Sequence, residues 1–155
     1  MSKSNNSIPS QHMSAWEAFL RAQSRVLHVL DQELQEETGL SLAWYDVLVQ
    51  LQKAGGSIRS GDLSSQLLIS PSAGTRLIDR MGSKGFVERK ACESDRRVVW
   101  VVLTDAGLDA LRSATPVHLA GVRAHFTDFL DDDQASALSE SLTPMARNAT
   151  ADEAE

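Results

Sequence analysis

Apolar residues recur three and four positions apart through most of this chain, and alternate with polar ones in only one stretch. Trp16, Leu20, Gln23, Leu27, Leu30 and Leu34 keep helical spacing, with Phe19 and Val26 widening the stripe. This predicts an amphipathic helix from Ser14 to about Glu37, stopped by Gly39. Ser41 is placed to cap a second helix, Leu42 to about Ala54, with Trp44, Val47, Leu48 and Leu51 inward. Gly55 and Gly56 end it, and Ser57–Arg59 reads as a minor strand. Ser60 is placed to cap a short helix, Gly61 to about Leu68, with Leu63 and Leu67 facing in.

The strongest punctuation follows. Ser70 is an N-cap candidate, Pro71 suits the first helical position, and Gly85 suits a left-handed stop after Lys84. Ala73, Leu77, Ile78 and Met81 form the predicted inward face. Ser72, Thr75, Arg76 and Asp79 form an outward polar face. Gly74, mid-helix, reads as permitting close approach to DNA or to the preceding helix. Phe86–Ala91 and Val98–Leu103 are β-rich runs around a loop that carries Cys92, Asp95, Arg96 and Arg97. Two short helices followed by a hairpin are the order of a helix-turn-helix with a wing. Serine and threonine hydroxyls reach phosphates, and arginine reads guanine with two hydrogen bonds. An arginine at a hairpin tip can enter a narrow minor groove, and Asp95, two residues before Arg97, is spaced to orient it.

Thr104 is placed to cap a long helix from Asp105, with Leu108, Leu111, Leu119, Val122 and Phe126 in its stripe and Pro116 expected to kink or divide it. Acids at Asp131, Asp132 and Asp133 suit the start of a last helix bearing Leu138, Leu142 and Met145. The expected fold is mainly α with a small β-hairpin wing (α+β). A winged helix-turn-helix spans about 42–104, and dimerisation helices span 14–38 and 105–147. All of this lies in one domain, 14–148, between disordered tails at 1–13 and 149–155.

Charge sharpens the picture. The 155 residues carry a net charge of −6, which alone argues against DNA. Between Ser57 and Arg97, however, eight basic residues face five acidic ones, so this segment is net +3 and the rest −9. Phosphate binding needs local positive charge rather than a positive whole. Hydrophobic residues make up 42% and charged residues 23%, an ordinary globular balance. There is no secretion signal and no apolar run of the roughly 18 residues that a membrane helix needs, so a cytoplasmic location is expected. One cysteine excludes an intrachain disulfide, and the four histidines lack zinc-ligand spacing; neither metal nor cofactor is expected. No Gly-rich phosphate loop or paired general acid and base is recognisable, so catalysis is not expected.

Three segments carry a family resemblance: LAWYDVLVQL, DLSSQLLISPSAGTRLIDRMGSKGFVER and SDRRVVWVVLTDAG. With them the chain resembles the MarR (multiple antibiotic resistance regulator) family over about Trp16 to Leu142. The wing pattern is the specific part: Asp95, Arg97, Val101, Leu103, Thr104 and Gly107. Gly82 departs from the family, which usually has an acidic or helix-favouring residue there. The resemblance implies a homodimer on a palindromic double-stranded operator, more often a repressor than an activator. It places DNA contacts at Ser70, Ser72, Thr75, Arg76 and Arg97, to which the wing reading adds Arg96.

Two kinds of signal stay open. A small aromatic ligand would sit, as the resemblance implies, between dimer helices and winged domain. Trp16, His28, Trp44 and Tyr45 are the candidates to line that cleft; core packing is the competing reading for each. Peroxide oxidation of Cys92 is the other. Arg89, Lys90, Arg96 and Arg97 favour its thiolate, while Glu88, Glu93 and Asp95 oppose them. An alternative function is a winged-helix protein-interaction module without DNA binding, which predicts no salt-dependent DNA affinity.

Overall fold

The computed structural model of the chain describes residues 7–67 and 71–151. The elements run α1 (Ser10–Thr38), α2 (Leu42–Lys53), β1 (Ser57–Arg59), α3 (Ser60–Gln66), α4 (Pro71–Ser83), β2 (Val87–Ala91), β3 (Val99–Leu103), α5 (Asp105–His125), a 3-10 turn at Thr127–Phe129, and α6 (Asp132–Ala151). The architecture is mostly helical with one small sheet, as the mainly α reading with a β-hairpin wing expects.

Local signals explain most boundaries. Ser41 accepts a hydrogen bond from Trp44 N at the start of α2, and Thr104 accepts one from Gly107 N at the start of α5. Gly39 and Gly85 adopt left-handed φ of 72° and 76°, conformations that a Cβ disfavours, and turn the chain after α1 and α4. Asp131 Oδ1 accepts from Gln134 N, and Gln134 Oε1 accepts from Asp131 N, a reciprocal cap on α6.

Several boundaries differ from the expectation. Helix α1 starts at Ser10 and takes up part of the expected tail, because Pro9 is the first residue upstream that breaks a helix. Helix α6 runs into the other expected tail, to Ala151; residues 1–6 and 152–155 lie outside the described residues. Ser60 lies inside α3 with Arg59 at the cap position, since β1 passes into the helix without a spare residue. The expected N-cap Ser70 also lies outside the described residues. Ala73 is exposed and Gly74 is buried, so the inward stripe of α4 is Gly74, Leu77, Ile78 and Met81. Pro116 does not divide α5: Leu111 and Ala114 before it and Gly121 after it are all buried, and this packing outweighs the missing backbone bond. Gly82 does not shorten α4, which continues to Ser83.

The sheet has strand order β1-β3-β2, antiparallel throughout, with Ile58 opposite Val101 and Arg89 opposite Val101 on the other side. Leu34, Leu48, Leu51, Leu63, Ile78 and Met81 form the centre of a core closed by Val101 and Leu111. It lies where α2, α3, α4 and the sheet meet the end of α1 and the start of α5. Gly107 fits against the turn after α4 so closely that a Cβ there would collide with the Phe86 carbonyl oxygen. Helix α5 also packs along α1, and at Gly121 a Cβ would come 2.6 Å from Leu30 Cδ2. Near this crossing His125 Nε2 lies 2.6 Å from Glu33 Oε1.

Candidate nucleic-acid interface

Ser72, Thr75 and Arg76 all lie on the exposed face of α4. Burial of Leu77, Ile78 and Met81 on the other side orients this face outward. Asp79, on the same polar face, turns toward the wing: its Oδ1 lies 3.0 Å from Arg89 Nη2 and 3.1 Å from Arg89 Nε. Arg89 Nη2 also donates to the Thr75 carbonyl at 3.3 Å.

The wing presents Arg96 and Arg97 at its tip. The Arg97 side chain is 92% exposed. Asp95 Oδ1 accepts from Arg97 N at 3.0 Å and from Arg97 Nε at 3.2 Å, while Oδ2 accepts from Nη2 at 3.4 Å. These bonds hold the Asp95 carboxyl below its usual range. The guanidinium is therefore aimed before it meets a partner, and the cost of ordering a long side chain on binding falls. The loop is closed by Val98 N to Asp95 O at 3.0 Å and Cys92 N to Val98 O at 2.9 Å.

Cys92 is partly exposed, with Sγ 3.1 Å from Ser94 Oγ. Its thiol is lowered from 9.0 to about 7 by that hydroxyl first, and then by backbone hydrogen bonds at Asp95 and Ser94. The expected cause, surrounding cations, is thus corrected: short loop hydrogen bonds favour the thiolate.

The four candidates for a ligand cleft do not line one cleft within the chain. Trp16 is exposed near the start of α1, beside Phe19. His28 borders a shallow groove on α1 with Leu20, Arg21, Ser24 and Arg25. Trp44 meets Phe86 edge-on, with ring centroids 5.9 Å apart, and Tyr45 packs into the core against His118 at 4.5 Å. For Trp44 and Tyr45 the helical spacing reflects packing.

Sequence reasoning missed His118 and Trp100, and gave Arg89 only a place among the cations near Cys92. His118 Nδ1 is buried without a hydrogen-bond partner, and this burial lowers its pKa against the opposing charge of Asp46. Arg59 lies over the Trp100 ring at 5.6 Å, across β1 and β3. Strand register brings Arg59 to Trp100, and packing of α5 on α2 brings His118 to Asp46, so spacing in the chain could not show either pair. Among the described residues no cluster of His, Cys, Asp or Glu is arranged to hold a metal ion, and no helix is long and apolar enough to cross a membrane.

An exposed polar helix beside a basic hairpin, on a core shared by both, defines a winged helix-turn-helix. The sequence profile of the MarR family matches residues 38–98. The chain is 34% identical to AbsC, a MarR family transcriptional regulator from Streptomyces coelicolor, at a TM-score of 0.87; 94% of this chain and 98% of that one are covered. It is 26% identical to Sco3205, a MarR family regulator of the same organism solved in complex with DNA, at a TM-score of 0.88 with 95% and 92% covered. It is also 28% identical over 121 residues to the transcriptional repressor MdtR of Bacillus subtilis (strain 168), covering 78% of this chain and 77% of that protein. The chain belongs to the MarR family.

Proposed function

We propose that this MarR-family regulator acts in the cytoplasm as a homodimer that binds a palindromic DNA operator and represses transcription. The observation that carries the reading is the pairing of the exposed polar face of α4 with an arginine held at the wing tip by Asp95. Ser72, Thr75 and Arg76 enter the major groove, and Arg97, with Arg96 beside it, reaches the adjacent minor groove. Ser70 joins the major-groove set by resemblance alone. The dimer uses the apolar faces of α1, α5 and α6, where Trp16, Leu20, Leu27, Leu119, Phe126 and Met145 are exposed. One continuous domain carries both functions, because α1 and α5 contribute Leu34 and Leu111 to the core of the winged unit. The relatives reported above are transcriptional regulators, which supports a binding protein rather than an enzyme.

Selection of genomic DNA fragments on the purified protein tests this reading. The expected outcome is a palindromic site bound with a steep salt dependence, and binding about five- to 150-fold weaker on Arg97→Ala, at roughly 1–3 kcal/mol for a lost arginine contact to a base. No enriched sequence, or an Arg97→Ala protein that binds as the wild type, overturns it and favours a protein-interaction module.

The thiol at about 7 favours oxidation as the releasing signal. The Cys92 thiolate attacks a peroxide oxygen; an S–O bond forms, the O–O bond breaks, and hydroxide leaves with a sulfenic acid on the wing. Peroxide should release the wild type from its site and leave Cys92→Ser bound. Peroxide release of Cys92→Ser removes the thiol from the reading, and failure of peroxide to release the wild type favours a small aromatic ligand.

A further inference from the structure

Arg89 stands apart from the other cations of the wing. Its Cα pairs with that of Val101, so its side chain leaves the same face of the sheet as that fully buried residue, toward α4. Lys90 and Glu88 leave the opposite face and pair with each other at 3.6 Å. Arg89 meets the Asp79 carboxylate with two nitrogens and the Thr75 carbonyl with one, and so grips α4 at two points one turn apart. The grip spans an open groove of about 440 Å³ between Ile78 and Gly82 of the helix and Val87 of the strand. No large side chain fills that gap at Gly82, where the nearest atom to an added Cβ is the Val87 carbonyl oxygen at 3.8 Å.

We infer that Arg89 is a positioning residue for DNA recognition, which fixes the spacing between the recognition helix and the wing instead of contacting a phosphate. The inference rests on the DNA contacts proposed above. The planar guanidinium suits this role because it bonds a carboxylate and a backbone carbonyl at once in a fixed geometry, which lysine cannot reproduce. Asp79 is the other half of the clasp, and explains an acid on a face that otherwise suits DNA. With the clasp open, Thr75 and Arg76 no longer hold a fixed distance to Arg97, and the wing must be ordered as DNA binds.

Substitutions in the full-length chain, measured on the DNA site from the selection, separate the two roles by sign. Asp79→Asn removes a negative charge near DNA and frees Arg89. A phosphate-contact role predicts tighter binding; the positioning role predicts binding on the order of fivefold weaker, the scale of one lost charged hydrogen-bonding pair. Arg89→Lys keeps the charge and should weaken binding to a similar extent. In the Arg97→Ala background the effect of Arg89→Gln should shrink to under about twofold, because the wing contact it serves is already gone. The exchanged pair, Asp79→Arg with Arg89→Asp, should recover part of the loss. Melting temperatures should barely move, since exposed ion pairs add little stability. Tighter binding by Asp79→Asn, or full additivity of Arg89→Gln with Arg97→Ala, overturns the inference. An Arg97→Ala protein that binds as the wild type overturns the contact reading itself, and the clasp with it.

Discussion

Leu48 in α2 and Leu119 in α5 are the same residue on the same kind of element, yet Leu48 is fully buried and Leu119 is 59% exposed. The contrast runs through the molecule. The winged centre closes its core, with Leu63, Met81 and Val101 inaccessible and Leu34 and Leu111 lent by the inner ends of α1 and α5. The flanks do not: Trp16, Phe19 and Leu20 of α1, Phe129 after α5 and Met145 of α6 all face outward. The centre buries its apolar residues within the chain, whereas the outer stretches of the flanks carry stripes that a single copy leaves wet. Equal hydrophobic periodicity therefore has two meanings, a core within the chain and an uncovered face, which the proposed dimer assigns to a second copy.

Deleting residues 131–155 tests that difference most severely. The expected product is a folded monomer that binds its site a hundredfold or more weakly, because linking two half-sites contributes roughly 10² to 10⁴ in avidity. Sedimentation and a DNA titration check this; a truncated chain that still dimerises breaks the comparison. Leu48→Ala should cost about 2–5 kcal/mol of stability in denaturant unfolding, and Leu119→Ala in the truncated monomer under about 0.5 kcal/mol. Comparable losses at the two positions would erase the distinction between centre and flank.

Two glycines sharpen the comparison on a smaller scale. Gly107→Ala should cost about 1–3 kcal/mol, because the Phe86 backbone must move to admit a methyl group. Gly82→Ala meets only ordinary contact and should add up to about 1 kcal/mol through helix propensity. Thermal unfolding of the two proteins should shift in opposite directions. The smallest effect belongs to His118, whose folded pKa lies below 6.5 because burial disfavours the charged ring. The native state then binds fewer protons than the unfolded chain, so stability is full above about 6.5 and falls as pH drops through the lowered pKa. His118→Gln should flatten that slope, and an unchanged slope would assign it to other groups.

Much of this was legible in the residues. The Ser41 cap placed the start of α2 and the Gly85 stop the end of α4 closely, and the run from Pro71 to Gly107 showed the winged motif, because turn chemistry is local. The Asp95–Arg97 contact spans two residues and could be read the same way. What stayed hidden depends on distance along the chain. The clasp of Arg89 on Asp79 joins residues ten apart through strand register. Tyr45 meets His118 only because α2 and α5 pack together. Trp16 and Trp44 share helical periodicity, and only packing puts one in water and the other against Phe86. Gly121 gave no local signal, since its role is to let α1 approach α5.

The two ends of the wing are tied at one point: Thr104 donates its hydroxyl to the Gly85 carbonyl at 2.6 Å and its N–H to the Phe86 carbonyl at 3.2 Å. Val87 and Val101 anchor the strands in the core, and the Cys92 N to Val98 O bond closes the tip between residues 92 and 98 on itself, so the strands do not depend on what that tip contains. Lengthening a closed loop costs little, since each doubling adds only about 0.6 kcal/mol. The tip is thus an exchangeable cassette: its sequence and reach can change to suit a different stretch of DNA while the frame that holds it stays the same.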